Sequence, residues 1–152
     1  MAASARRRFL AALATAAAVP FFPVRRARAQ ADALKPVIAR LTAGAPLREG
    51  RVKVDTPRLA DNGHSVPLRV SVDSPMSAAG HVRSITLLSE RNPRPLMATF
   101  YLGPRAGRAE VMTRVRLNGT QRVLAVAQLS DGTFWSGSAE VEVTESACLD
   151  AT

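Results

Sequence analysis

Only one cysteine occurs in the 152 residues, so no disulfide can form within the chain. Cys148 stands in the closing segment Ala147-Cys148-Leu149-Asp150-Ala151-Thr152. A lone thiol there can bond to another chain, carry a group covalently, or be incidental, and the first two uses need a reachable thiolate. Aromatic residues are scarce, at 5% of the chain, with one tryptophan and one tyrosine. No basic run is interleaved with aromatics, which argues against nucleic-acid binding. The chain has two histidines, His64 and His81, and no third ligand at metal spacing, so no metal site is expected. Gly-x-Ser-x-Gly, a Gly-rich phosphate loop and His-Glu-x-x-His are all missing. No catalytic residue and no cofactor are therefore expected.

Acidic residues are missing from the first 29 positions, while Arg6, Arg7, Arg8, Arg25, Arg26 and Arg28 lie there. An apolar run, Phe9-Leu10-Ala11-Ala12-Leu13 through Val19, follows the first three arginines. It is too short and too alanine-rich to span a bilayer, which takes about 20 apolar residues. Charged, then apolar, then the small-x-small site Ala27-Arg28-Ala29 is the layout of an export signal. Arg6-Arg7-x-Phe9-Leu10 fits the twin-arginine type. Cleavage before Gln30 and a soluble periplasmic product are expected. The six arginines leave with the signal, so the formal charge of +9 falls to 9 − 6 = +3 over residues 30–152. An unpaired cysteine in an oxidising compartment points to an intermolecular bond or a working thiol.

The 123 residues from 30 to 152 suffice for one core. Ala33, Leu34, Val37, Ile38 and Leu41 share one helical face, which predicts a short helix over 32–43 with Pro36 in its first turn and Gly44 as its stop. The period then changes to two. Val52 and Val54 alternate with Arg51, Lys53 and Asp55, as do Val66, Leu68, Val70 and Val72 with Arg69, Ser71 and Asp73. Further strands are predicted at 82–89, 96–102, 109–117, 121–128 and 139–144. Asn62-Gly63, Asn92-Pro93, Gly103-Pro104, Asn118-Gly119 and Asp131-Gly132 read as turns. Of these, Asn118-Gly119 and Ser130-Asp131-Gly132 predict tight hairpins, and Gly137 predicts a bulge or bend in the last strand. Seven alternating strands with regular turns read as an all-β antiparallel β-sandwich. The organisation is thus signal 1–29, helix and sandwich 30–145, and tail 146–152.

An ordered set of segments carries a resemblance. Val66-Pro67-Leu68-Arg69-Val70-Ser71-Val72-Asp73-Ser74-Pro75-Met76 precedes His81-Val82-x-Ser84-Ile85. Asn92-Pro93-x-Pro95, Thr113-Arg114-Val115-Arg116-Leu117 and Val126-Ala127-x-Leu129-Ser130-Asp131-Gly132-Thr133-Phe134 follow. The set resembles the SoxY family, sulfur-carrier subunits of the periplasmic thiosulfate-oxidising system, over about residues 32–148. The resemblance implies an immunoglobulin-like sandwich that forms a heterodimer with a SoxZ-like subunit. It implies a thiosulfate-derived sulfur group held covalently on Cys148 and acted on by other Sox enzymes, the chain itself being carrier and not catalyst. The family's arm reads Gly-Gly-Cys-Gly-Gly; this chain has Ser146-Ala147-Cys148-Leu149-Asp150. Leu149 adds bulk, and Asp150 adds a negative charge two residues from the thiol, which disfavours the thiolate and repels anions. The alternative reading is an adaptor of a periplasmic redox complex that carries no sulfur.

Overall fold

The computed structural model describes the backbone of residues 25–147 and the side chains of residues 33–147. One helix, α1 (Arg25–Leu41), precedes nine strands among the described residues. They are β1 (Leu47–Glu49), β2 (Val52–Asp55), β3 (Leu59–Asn62), β4 (Val66–Val72), β5 (Val82–Ser89), β6 (Leu96–Tyr101), β7 (Glu110–Val115), β8 (Gln121–Leu129) and β9 (Phe134–Glu145). The larger sheet runs β1-β9-β8-β5-β6, with β3 also on β9; the smaller runs β2-β4-β7. This is the two-sheet, immunoglobulin-like sandwich that the resemblance implies.

Alternation decides which faces meet. Val66, Leu68, Val70 and Val72 of β4 are buried while Pro67 and Arg69 are exposed. They pack against Ile85, Leu87, Val123, Ala125, Val141 and Val143 of the larger sheet. Strand β5 is buried on both faces, because α1 covers the outer face of its sheet. Leu34, Val37, Ile38 and Leu41 of α1 pack there on Leu88, Val126 and Phe134.

Several expectations need correction. The helix begins at Arg25 and ends at Leu41, so Pro36 lies in its interior and not in its first turn. Ala33 is exposed, and the packing face consists of the other four residues. Two strands beyond the seven, β1 and β3, pair parallel with successive halves of β9. They escape the period-two reading because they are three and four residues long and only one residue in each is half-buried. The last strand starts at Phe134 instead of 139 and keeps one register with β8 through Gly137, so there is no bulge there. The irregularities fall in β5, between Val82 and Ser84 and between Leu87 and Leu88. Ser130-Asp131-Gly132 does form the β8–β9 hairpin, with Gly132 at φ 82°. Asn118-Gly119 does not form a hairpin: β7 and β8 lie in different sheets, and this segment is the crossing between them.

Candidate functional site

Cys148, the one site residue expected from the sequence, lies outside the described residues. The structure does describe the ground it grows from. The end of β9 is tied down by three backbone bonds arranged around Gly63. The Gly63 N–H donates to the Glu145 carbonyl (2.7 Å), and the Leu117 N–H donates to the Gly63 carbonyl (2.9 Å). The Ala147 N–H donates in turn to the Leu117 carbonyl (3.2 Å). The Ser146 hydroxyl donates to Asn118 Oδ1. The chain is thus held through Ala147, one residue before the cysteine.

Only glycine fits at the centre of this clamp. A Cβ on residue 63 would stand 2.3 Å from the Leu117 carbonyl oxygen and 3.1 Å from both Ala147 N and Glu145 O. Asn62 prepares the turn, its Oδ1 accepting the His64 N–H at 2.7 Å.

A polar network fixes the neighbouring loop between β5 and β6. The Ser89 hydroxyl donates to Gln121 Oε1, which also accepts the Arg91 N–H at 3.0 Å. Asn92 Nδ2 donates to the Arg116 carbonyl (2.8 Å), while its Oδ1 accepts the Asn118 N–H (2.9 Å) and Gln121 Nε2–H (3.2 Å). Ser89 and Gln121 are buried, so leaving their groups unpaired would cost about 1–3 kcal/mol each. Asn92-Pro93 therefore does more than turn the chain: it bonds the 90–92 loop to the strand crossing that holds the tail.

Arginines surround this end. Arg91 Nη1 donates to the Thr120 carbonyl (2.9 Å), with its guanidinium against the backbone of Gly119. Arg114 Nη1 donates to the carbonyl and hydroxyl of Ser65 (3.2 and 3.3 Å). Arg116 is exposed beside Leu117. Among the described residues none of the three pairs with a carboxylate; the ion pairs there are Arg69–Glu110 and Arg122–Glu90. An open cleft of about 840 Å³ lies along β8 and β9, and it carries Asp55, Glu90, Glu140 and Glu142 against Arg58 and Arg122. Its excess of carboxylates suits it poorly to an anionic group.

The histidines do not come together. His64 precedes β4 at the tail end, whereas His81 follows β4 at the far end, where its N–H donates to Ser130 Oγ (3.1 Å). No group of three His, Cys, Asp or Glu that could hold a metal occurs among the described residues. Among those residues no helix is long and apolar enough to cross a membrane.

Sequence reasoning missed the clamp. Both Asn-Gly pairs were visible as turns, but their pairing with Ala147 joins segments far apart in the chain.

Comparisons with known proteins agree with this architecture. A family model described as sulfur oxidation protein SoxY matches residues 38–148, ending at the cysteine. The sulfur carrier protein SoxY from Chlorobium limicola f thiosulfatophilum is 29% identical, covering 75% of this chain and 98% of that one, with a TM-score of 0.64. Superoxide reductases share the fold alone. The one from Ignicoccus hospitalis is 21% identical over 62% of this chain and 80% of its own, with a TM-score of 0.55. A superoxide reductase-like protein from Thermotoga maritima is 17% identical over 66% and 95%, with a TM-score of 0.55. No curated protein sequence matches the chain.

Proposed function

The chain belongs to the SoxY family, and from that membership we propose that it is a sulfur carrier that holds a thiosulfate-derived group covalently on Cys148 for partner enzymes. The observation that carries this reading is where the family match ends. It closes at Cys148, so the family region includes the thiol, and the described chain leading to it is clamped up to Ala147. A carrier needs a firmly held domain that presents its thiol to successive active sites.

The chemistry assigns the chain a limited part. Joining the Cys148 thiolate to the outer sulfur of thiosulfate forms one S–S bond and releases two electrons. An electron-accepting partner enzyme must take them, and the chain presents the thiolate. The Arg6-Arg7 signal and the Ala27-x-Ala29 site support export to the periplasm, where such partners and a SoxZ-like subunit would meet it.

One observation favours a second reading. Ser-Ala-Cys-Leu-Asp replaces the glycine-flanked cysteine of the family, and Leu149 and Asp150 make the arm bulkier and more acidic. An adaptor that no longer carries sulfur would tolerate this change. Intact-mass analysis of protein purified from thiosulfate-grown cells separates the two. The carrier reading expects a thiosulfate-derived or persulfide mass on the peptide holding Cys148, abolished by Cys148→Ser. Native protein bearing only the bare thiol, while partner binding persists, would establish the adaptor.

A further inference from the structure

We propose that the break in the β9 edge between β1 and β3 is a docking slot for an extended segment of a partner protein, one in which basic side chains alternate with small apolar ones. The inference stands apart from the carrier reading and needs nothing from the tail.

β9 runs for 12 residues, but its outer edge is covered only at the two ends. β1 pairs with it as far as Ser136, and β3 takes over at Glu142. The chain between them leaves for the smaller sheet, where it forms β2. At the margins of the break the Gly50 N–H donates to the Ser136 carbonyl (3.0 Å), and the Glu142 N–H donates to the Arg58 carbonyl (2.7 Å). Backbone groups of successive residues in a strand point to its two sides in turn. Ser138 and Glu140 are in phase with Ser136 and Glu142, so they turn their N–H and C=O groups away from β8 and into the break. Among the described residues these four groups have no partner. Residues 137–141 give the break a length of about 17 Å, at ~3.4 Å per residue, room for a segment of about four residues. Added strands gain affinity from such main-chain bonds and specificity from alternate side chains.

The cleft of about 840 Å³ opens here, and its walls select the occupant. Glu140 and Glu142 are exposed on one face of β9, the face that a residue opposite Glu140 would share. Arg122 lies across from Glu140 on the β8 side, but its guanidinium is held by Glu90 (Nε–H to Oε1, 2.8 Å). Asp55 adds a third carboxylate against the remaining Arg58. A lysine or arginine opposite Glu140 therefore meets opposite charge. Its neighbour projects to the other face, beside Ala139, Val141 and Val54, where a small apolar side chain fits. β1 and β3 bound the slot at both ends, which fixes the register of what enters it.

A defined peptide tests this. The probe is acetyl-Lys-Val-Lys-Val-Lys-amide, titrated into the intact, isotope-labelled chain. At saturation, solvent exchange of the Ser138 and Glu140 amide hydrogens, read by NMR, should slow by about tenfold or more. Glu140→Gln with Glu142→Gln should weaken binding by about threefold or more, as should salt at about 1 M. Ser138→Pro deletes an N–H that faces the break and none of the β8–β9 ladder, so it should abolish binding while the fold is kept. Should that variant misfold, the Gln double variant still decides. Acetyl-Glu-Val-Glu-Val-Glu-amide should protect neither amide. The inference is overturned if the basic peptide leaves both amides unprotected, if protection falls on β6 instead, if the acidic peptide binds equally, or if a folded Ser138→Pro binds as wild type does. Cys148→Ser should bind the probe unchanged, so the slot and the carrier reading fail separately.

Discussion

A methyl group on Gly137 would stand 2.0 Å from the Val52 carbonyl oxygen. The chain leaves β1 beside Ser136, passes through Gly50 and Arg51 at φ 109° and 54°, and enters β2 in the other sheet. The two sheets thus meet backbone to backbone, and the side chain that would separate them is missing. Gly137→Ala should cost roughly 2–4 kcal/mol, because backbone and not a flexible side chain must move. Gly103→Ala meets open space and should change stability by less than about 0.5 kcal/mol. Urea unfolding of the pair decides whether the close approach is the cause. Asp131 offers a second test at this scale. The Thr133 hydroxyl and N–H both donate to its carboxylate, and with Arg51 nearby they hold it below its ordinary 3.8. A depressed carboxylate adds stability above its unfolded pKa and loses it as pH falls through the lower folded value. Thr133→Val should raise the Asp131 midpoint in an NMR titration; an unmoved midpoint would exclude the hydroxyl as the main cause. Gly132 could be assigned from sequence because a hairpin turn is local, whereas Gly137 suggested a bulge because its neighbour lies about 85 residues away in the chain.

At the scale of elements, α1 shows how a helix end is settled. Gly44 N–H donates to the Ala39 carbonyl (2.9 Å) and Ala43 N–H to the Arg40 carbonyl (3.3 Å), the paired bonds of a Schellman motif. Ala43 therefore takes the left-handed position, at φ 51°, which an alanine adopts at a cost of about 1 kcal/mol. Ala43→Gly should raise stability by about 0.5–1 kcal/mol, and an unchanged or lower thermal midpoint would contradict that account. Four of the five residues assigned to the helix's apolar face do pack, because a 3.6-residue period is written within one segment. β4 matches its predicted bounds for the same reason, its period being two, and β5 matches as a nearly continuous buried run. β1 and β3 carry no such pattern. Each is a strand because β9 lies beside it, and a three-residue run cannot show that by itself.

At the scale of the molecule, the sequence announced strands and turns but not which sheet each strand would join. Asn118-Gly119 has the local signature of a hairpin, yet Val115 pairs with Val66 and Gln121 with Val141. The crossing that results brings Leu117 and Asn118 to the end of β9, and so creates the clamp. Among the described residues the same allocation leaves β6 as a free edge of the larger sheet and β7 of the smaller, joined by the short connection from Leu102 to Ala109. β6 reads Leu-Met-Ala-Thr-Phe-Tyr, with no charge and no proline to discourage pairing. Leu96 and Tyr101 on it are 48% and 84% exposed, and Met112 on β7 is 66% exposed. Such an edge invites a second chain, and the occupant proposed for it is a SoxZ-like subunit. Purified alone, the protein should self-associate; with the partner it should run as a one-to-one complex on gel filtration. Tyr101→Lys should weaken both associations several-fold while changing stability by less than about 0.5 kcal/mol, since an exposed ring contributes little to the core. If the wild-type chain is a monomer that ignores the partner, or if Tyr101→Lys binds as tightly as wild type, the β6 edge is not the contact. Because β6 ends away from the clamp, the substitution should also leave Cys148 reactivity unaltered, which keeps the tests of docking and of sulfur carriage independent.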